Sequence, residues 1–305
     1  MDKNERRKFK MPIFIRALRL PFASASALGF IFGSFIQREK FDFLNFLLGL
    51  LAAVSTHLAA NLINDFADSR SGADWQDKNS YNFFGGSKLI QEGKLSEGFY
   101  FKTSLVFSAL ALFCVLALWL RLGKISCLFY YLIILFLGWS YSQKPLALSY
   151  CRLGELVIFL LFGPALVMGG YFIQTGIFPD LTSFLLSLPA GIFTVNILFA
   201  NEIPDYPDDS KCKKLNWVSC CGQSKAYILY FILCILGFGA IILNISIGNL
   251  SKFALLTLIA AIPALKAGII LKQDYKDKLK LINSSKLTIA VHTLVSVILI
   301  IAILL

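Results

Sequence analysis

Long apolar stretches, broken by short polar punctuation, run the length of the chain. Nine of them have helical length, at about 17–36, 43–64, 103–121, 125–141, 153–174, 181–203, 226–247, 253–271 and 287–305. Roughly 20 mostly apolar residues cross a bilayer as a helix, so the pattern predicts about nine membrane-spanning helices. Little chain remains for a soluble domain, and the expected fold is one all-α, multi-pass helical bundle over residues 1–305. Two long polar segments interrupt the pattern, at about 65–102 after the second helix and 204–225 after the sixth. The first keeps Trp75, Tyr81, Phe83, Phe84, Leu89 and Ile90. A loop this long in a compact protein is functional or disordered, and its apolar residues predict an ordered cap.

Composition agrees with the pattern. The chain is 57% hydrophobic and 15% charged, where a soluble domain carries roughly 25% charged residues. A net charge of +11 would suit nucleic acid, but its distribution excludes that partner. With the N-terminus placed in the cytoplasm, all 29 lysines and arginines but Arg38, Lys40, Arg121, Lys124 and Lys252 lie in or beside the N-terminal segment and the loops after helices 2, 4, 6 and 8. This is the positive-inside bias: the charge sets topology, and both long loops are expected at the cytoplasmic face of the inner membrane. Met1–Lys10 is basic, yet the apolar run behind it is too long for a signal h-region, so no cleaved signal is expected. Seven cysteines form no CxxC pair and read as structural. His57 and His292 are isolated, His57 one turn before Asn61.

Chemistry concentrates in two stretches. NLINDFADSRSGAD, from Asn61 to Asp74, puts three aspartates at the mouth of a membrane segment, and NEIPDYPDD, from Asn201 to Asp209, repeats the theme four helices later. On a continuing helix Asn61, Asp65 and Asp68 share one face, as do Asn201, Asp205 and Asp209. Pro204 and Pro207 are expected to interrupt the second helix and unwind it locally. The shared N-x3-D pattern suggests an internal duplication of a four-helix unit. With Asp74 and Asp208, six carboxylates gather at one surface, where without counter-charge they would repel or take up protons. Divalent cations remove that problem, because Mg²⁺ binds through a few carboxylates and shares substrate phosphates. Arg70, Lys78, Lys88, Lys144 and Lys211 stand nearby, so the set suits a metal-bridged diphosphate on a lipid with an apolar tail. Solvated helix ends are the bland alternative. Ionisable residues at membrane depth mark function by default.

These residues resemble the two aspartate-rich motifs of the UbiA superfamily of intramembrane prenyltransferases. RLPFASASALG (Arg19–Gly29), GGSKLIQEGKLS (Gly85–Ser96), the segment Tyr141–Gly176 and NEIPDYPDDSKCKKLNWVSCCG (Asn201–Gly222) resemble its 1,4-dihydroxy-2-naphthoate polyprenyltransferase branch, which makes demethylmenaquinone. The spacing Asp65-x2-Asp68-x5-Asp74 looks like the naphthoate enzymes, with Gly72 where the third aspartate of the 4-hydroxybenzoate enzymes would stand. The chain departs from the pattern at acidic Asp208 and in the basic segment after it. The resemblance implies that Asp65, Asp68, Asp205 and Asp209 hold two Mg²⁺ ions on a polyprenyl diphosphate. It implies polar support from Asn61, Asn64 and Asn201, ligation or water-mediated contact from Asp74, and neutralisation by Lys144 of the Tyr141-Ser142-x-Lys144-Pro145 motif. Arg70 and Lys88 are its lid candidates. Glu155 either orients the aromatic acceptor or favours a helix N-terminus. Another aromatic acceptor, an ion-coupled transporter and a non-catalytic quinone-lipid binder remain as alternatives. A transporter site is expected nearer the bilayer midplane on broken helices.

Overall fold

The computed structural model describes residues 12–77 and 79–305, so Met1–Lys10 and Lys78 lie outside the described residues. All nine apolar runs are helical. Seven helices are long and apolar enough to cross a membrane: α2 (Phe43–Ser71), α3 (Glu97–Leu122), α5 (Gly154–Thr175), α6 (Leu181–Cys212), α7 (Ala226–Ser246), α8 (Lys252–Gln273) and α9 (Lys278–Leu304). Two shorter apolar helices, α1 (Leu20–Phe35) and α4 (Ser126–Ser140), complete the set. The chain is an integral membrane protein of all-α class. Phe113, Leu120, Ile235 and many other large apolar residues face outward, as lipid-facing side chains do.

Successive helices pack on one another, and α9 closes the bundle against α1 and α6. Small residues set the closest approach. Gly29 and Gly33, four apart on α1, meet α5: a Cβ on Gly33 would fall 2.0 Å from the Val167 carbonyl oxygen. Small-xxx-small faces let membrane helices approach this closely. In α5 a wider π-helical turn at Leu161–Ala165 accommodates Pro164, and the Tyr130 hydroxyl donates to the Ala165 carbonyl at 3.0 Å.

The aspartate motifs ride on helices that outlast their apolar runs. Asp42 caps the start of α2 by accepting the Asn45 N–H at 2.7 Å, and Gly72, with φ of 89°, ends it. The first polar segment is therefore 72–96 rather than 65–102, and the second shrinks at its start in the same way. Pro204 and Pro207 do not unwind α6, which is helical from Leu181 to Asp209. Pro207 leaves the Ile203 carbonyl without its N–H, and Gln223 Nε2 supplies the missing donor at 2.8 Å. Neighbouring groups re-satisfy carbonyls that proline frees inside membrane helices. The described residues of the 72–96 segment form an ordered cap, with Phe84, Leu89, Ser87 and Lys88 buried.

Candidate active site

The ends of α2 and α6 carry the aspartates to one place. Beneath the cap lies a cavity of about 290 Å³, near the lower end of the range for small-molecule sites. Asn61, Asn64, Asp68, Tyr141, Asn201, Asp205 and Asp209 line its polar end, while Phe30, Leu118, Tyr131, Phe162 and Phe172 line its deeper, apolar part. Asp68, Asp205 and Asp209 also border a small polar cleft of about 30 Å³ under the cap, together with Asp74 and Lys88.

Each aspartate is held by a local device. Asp68 accepts the Tyr150 hydroxyl at 2.6 Å and Lys214 Nζ at 2.9 Å. Lys214 also stands 3.8 Å from Asp209, so one ammonium joins the two motifs. Burial alone would push Lys214 down, but the carboxylates of Asp209 and Asp68 win and hold it well above the usual lysine range. Asp205 accepts the Gly85 N–H at 2.8 Å, and Asp65 accepts the Ser87 N–H at 3.1 Å. Gly86 is required beside them: with φ of 71°, a Cβ there would lie 2.6 Å from Asp74 Oδ2. Lys88 donates to Asp74 at 3.0 Å. Burial, and next the Asp68 charge, still push the Asp74 carboxyl up to about 8. Asn64 donates to Ser142 at 3.0 Å and Asn201 accepts from Ser285 at 2.7 Å; Asn61 reaches the Leu18 carbonyl at 3.4 Å.

Two expected cations stand elsewhere. Arg70 is exposed and 3.9 Å from Glu97, because two residues past Asp68 is the opposite face of a helix. Lys144 lies exposed in the turn after α4 and does not line the cavity. Lys214 and Arg19 occupy the site instead, Arg19 at 3.7 Å from Asp65. The sequence signal for Lys214 was the KCKK run after the second motif, which does not say which lysine turns inward. The fold decides it: Lys213 adopts φ of 57°, the Lys214 N–H bonds back to the Asp209 carbonyl at 3.0 Å, and Leu215 pairs with the Tyr150–Arg152 segment. That pairing fixes Tyr150 and Lys214 on the same carboxylate.

Among the described residues no three His, Cys, Asp or Glu side chains converge tightly enough to hold a metal unaided. The donor set instead fits a hard cation held by one or two carboxylates and completed by phosphate oxygens, the mode Mg²⁺ favours. Asp65 Oδ1 is buried with no hydrogen-bond partner and faces only the Arg19 guanidinium at 3.7 Å; Asp65 lies behind the cavity and the cleft rather than lining either.

Comparison with known proteins follows the same lines. The model for the UbiA prenyltransferase family matches residues 26–289. The chain is 26% identical over 202 residues to UbiA prenyltransferase domain-containing protein 1 of Dictyostelium discoideum, covering 65% of this chain and 59% of that protein. It is 26% identical over 187 residues to the 1,4-dihydroxy-2-naphthoate octaprenyltransferase of Mycobacterium tuberculosis, covering 60% of each. The matches thus span about three fifths of those relatives' length. A UbiA homolog from Archaeoglobus fulgidus, solved bound to GPP and Mg²⁺, superposes with a TM-score of 0.62 at 17% identity, covering 96% of this chain and 98% of that one. That likeness establishes the fold.

Proposed function

The chain belongs to the UbiA prenyltransferase family, and on that premise we propose that it transfers a polyprenyl group from its diphosphate to an aromatic acceptor. The acceptor we assign is 1,4-dihydroxy-2-naphthoate, with loss of its carboxyl as CO₂, which gives demethylmenaquinol for menaquinone biosynthesis. The observation that carries this reading is the meeting of both aspartate motifs at the polar end of an otherwise apolar cavity. The spacing of Asp65, Asp68 and Asp74 and the likeness to a naphthoate octaprenyltransferase support the choice of ring. We place this end of the bundle at the cytoplasmic face of the inner membrane, following the lysine and arginine distribution.

Asp65, Asp68, Asp205 and Asp209 would hold the Mg²⁺ ions, two in number, with Asn61, Asn64 and Asn201 fixing the helix ends around them. Mg²⁺ supplies charge neutralisation of the leaving diphosphate and a template for its orientation. Lys214 takes the diphosphate-facing role that the sequence suggested for Lys144, with Arg19 and, from the cap, Lys88 beside it. The apolar chamber receives the prenyl tail and keeps water from the allylic cation that C–O cleavage leaves. Phe162 and Tyr131 flank that space, and aromatic faces stabilise a desolvated cation. The electron-rich ring then attacks the allylic carbon.

An acceptor panel tests this. Purified protein in detergent, given geranyl diphosphate and Mg²⁺, is expected to yield a decarboxylated prenyl-naphthoquinol by mass spectrometry. Product from 4-hydroxybenzoate alone would overturn the acceptor and keep the reaction class.

A further inference from the structure

One acidic feature of the cavity wall has no part in holding a diphosphate. Glu155, at the start of α5, is fully enclosed at 0% exposure. One of its oxygens accepts the Trp217 backbone N–H; the other, Oε2, has no hydrogen-bond partner. On α6, which packs against this start of α5, Glu202 Oε2 is also sealed without a donor. Buried polar atoms are rarely left unpaired, so two sealed carboxyl oxygens in this seam are a feature that packing alone does not explain. Glu202, unlike Glu155, lines the cavity, so its other oxygen is the acceptor offered there. Ser149, 5% exposed, lines the same cavity, and its Oγ likewise has no partner.

Position gives these groups a meaning. Glu202, Asp205 and Asp209 fall at i, i+3 and i+7, one face of α6, and three helical residues rise about 4.5 Å. Glu202 therefore stands about one turn deeper than Asp205 along α6, on the apolar side of the aspartates. Resting on the prenyltransferase reading, we propose that Glu202, backed by Glu155 and flanked by Ser149, is the subsite that accepts the hydrogen bond of the acceptor's ring hydroxyl. It selects hydroxyarenes, and it sets which ring carbon meets the prenyl group. Glu155 is a positioning residue that acts through Glu202.

The test uses full-length protein carrying Mg²⁺ and unreactive geranyl S-thiolodiphosphate, titrated with 1-hydroxy-2-naphthoate or 1-methoxy-2-naphthoate. The wild type is expected to prefer the hydroxy compound by about tenfold or more, as a hydrogen bond to a charged group implies. Glu202→Leu and Glu155→Leu should reduce the preference to within about twofold, while Glu155→Gln, whose amide donates to Glu202 permanently, keeps most of it. Unchanged thiolodiphosphate affinity in each variant shows an intact fold. A preference that survives Glu202→Leu, or is missing from the wild type, overturns the proposal. So does a Glu202→Leu protein that loses the thiolodiphosphate, because it would assign Glu202 to the metal site. A wild type that shows the preference but makes no prenylated product contradicts the prenyltransferase reading and leaves the subsite standing.

Discussion

Asp208 and Asp209 are adjacent in the chain and both border the small polar cleft, but their partners differ. Asp209 lines the cavity and faces Lys214. Asp208 turns to Lys211 at 2.9 Å and to Lys278 at 2.7 Å, a latch between α6 and α9. Asp209→Ala is therefore expected to cost at least about a hundredfold in transfer rate, the scale of losing one electrostatic partner of the reacting group. Asp208→Ala should cost far less, and the reverse order in a rate assay would contradict the placement. The same reasoning separates two lysines. Lys214→Ala should lower the rate by about a hundredfold, whereas Lys144→Ala, in an exposed turn, should leave it near wild type. The aspartates were legible in the sequence because helical spacing alone puts them on one face. Lys214 was not, because its direction is set by the left-handed turn at Lys213 and by pairing with a segment some sixty residues earlier in the chain.

At the scale of elements, hydropathy placed the nine helices but stopped short at the site. α2 and α6 continue as polar helices past their apolar runs, held there by contacts from the cap, from Tyr150 and Lys214, and from Gln223. Gln223 Nε2 serves both the Ile203 and the Tyr275 carbonyls, at 2.8 and 2.9 Å. Gln223→Ala is expected to destabilise the protein by about 1–3 kcal/mol, the cost of leaving buried polar groups unsatisfied. A thermal melt in detergent unchanged from wild type would show that water replaces the side chain. The α1–α5 contact was written in the sequence as GFIFG, Gly29–Gly33, a small-xxx-small signal that hydropathy does not register. Gly33→Ala, with no room beside Val167, should cost about 1–3 kcal/mol or more by overpacking, read as a lowered melting temperature.

For the molecule as a whole, the bundle works as a chamber with a charged lip. Its outer surface faces lipid, its interior is largely apolar, and the carboxylates of its two aspartate motifs gather at one end beside the cap. On the proposed function, this arrangement accounts for buried aspartates in so apolar a chain: they would hold cations that bridge to phosphate oxygens, and they are balanced meanwhile by Lys214, Lys88 and Arg19. The central claim is that both motifs act together through a divalent metal. The most direct measurement is the mass of the product formed from geranyl diphosphate and 1,4-dihydroxy-2-naphthoate by the wild type, Asp65→Asn and Asp205→Asn, each with Mg²⁺ and with EDTA. Prenylated product from the wild type with Mg²⁺ alone, and from neither variant, is the predicted result. Product formed in EDTA, or at wild-type levels by both variants, would contradict it.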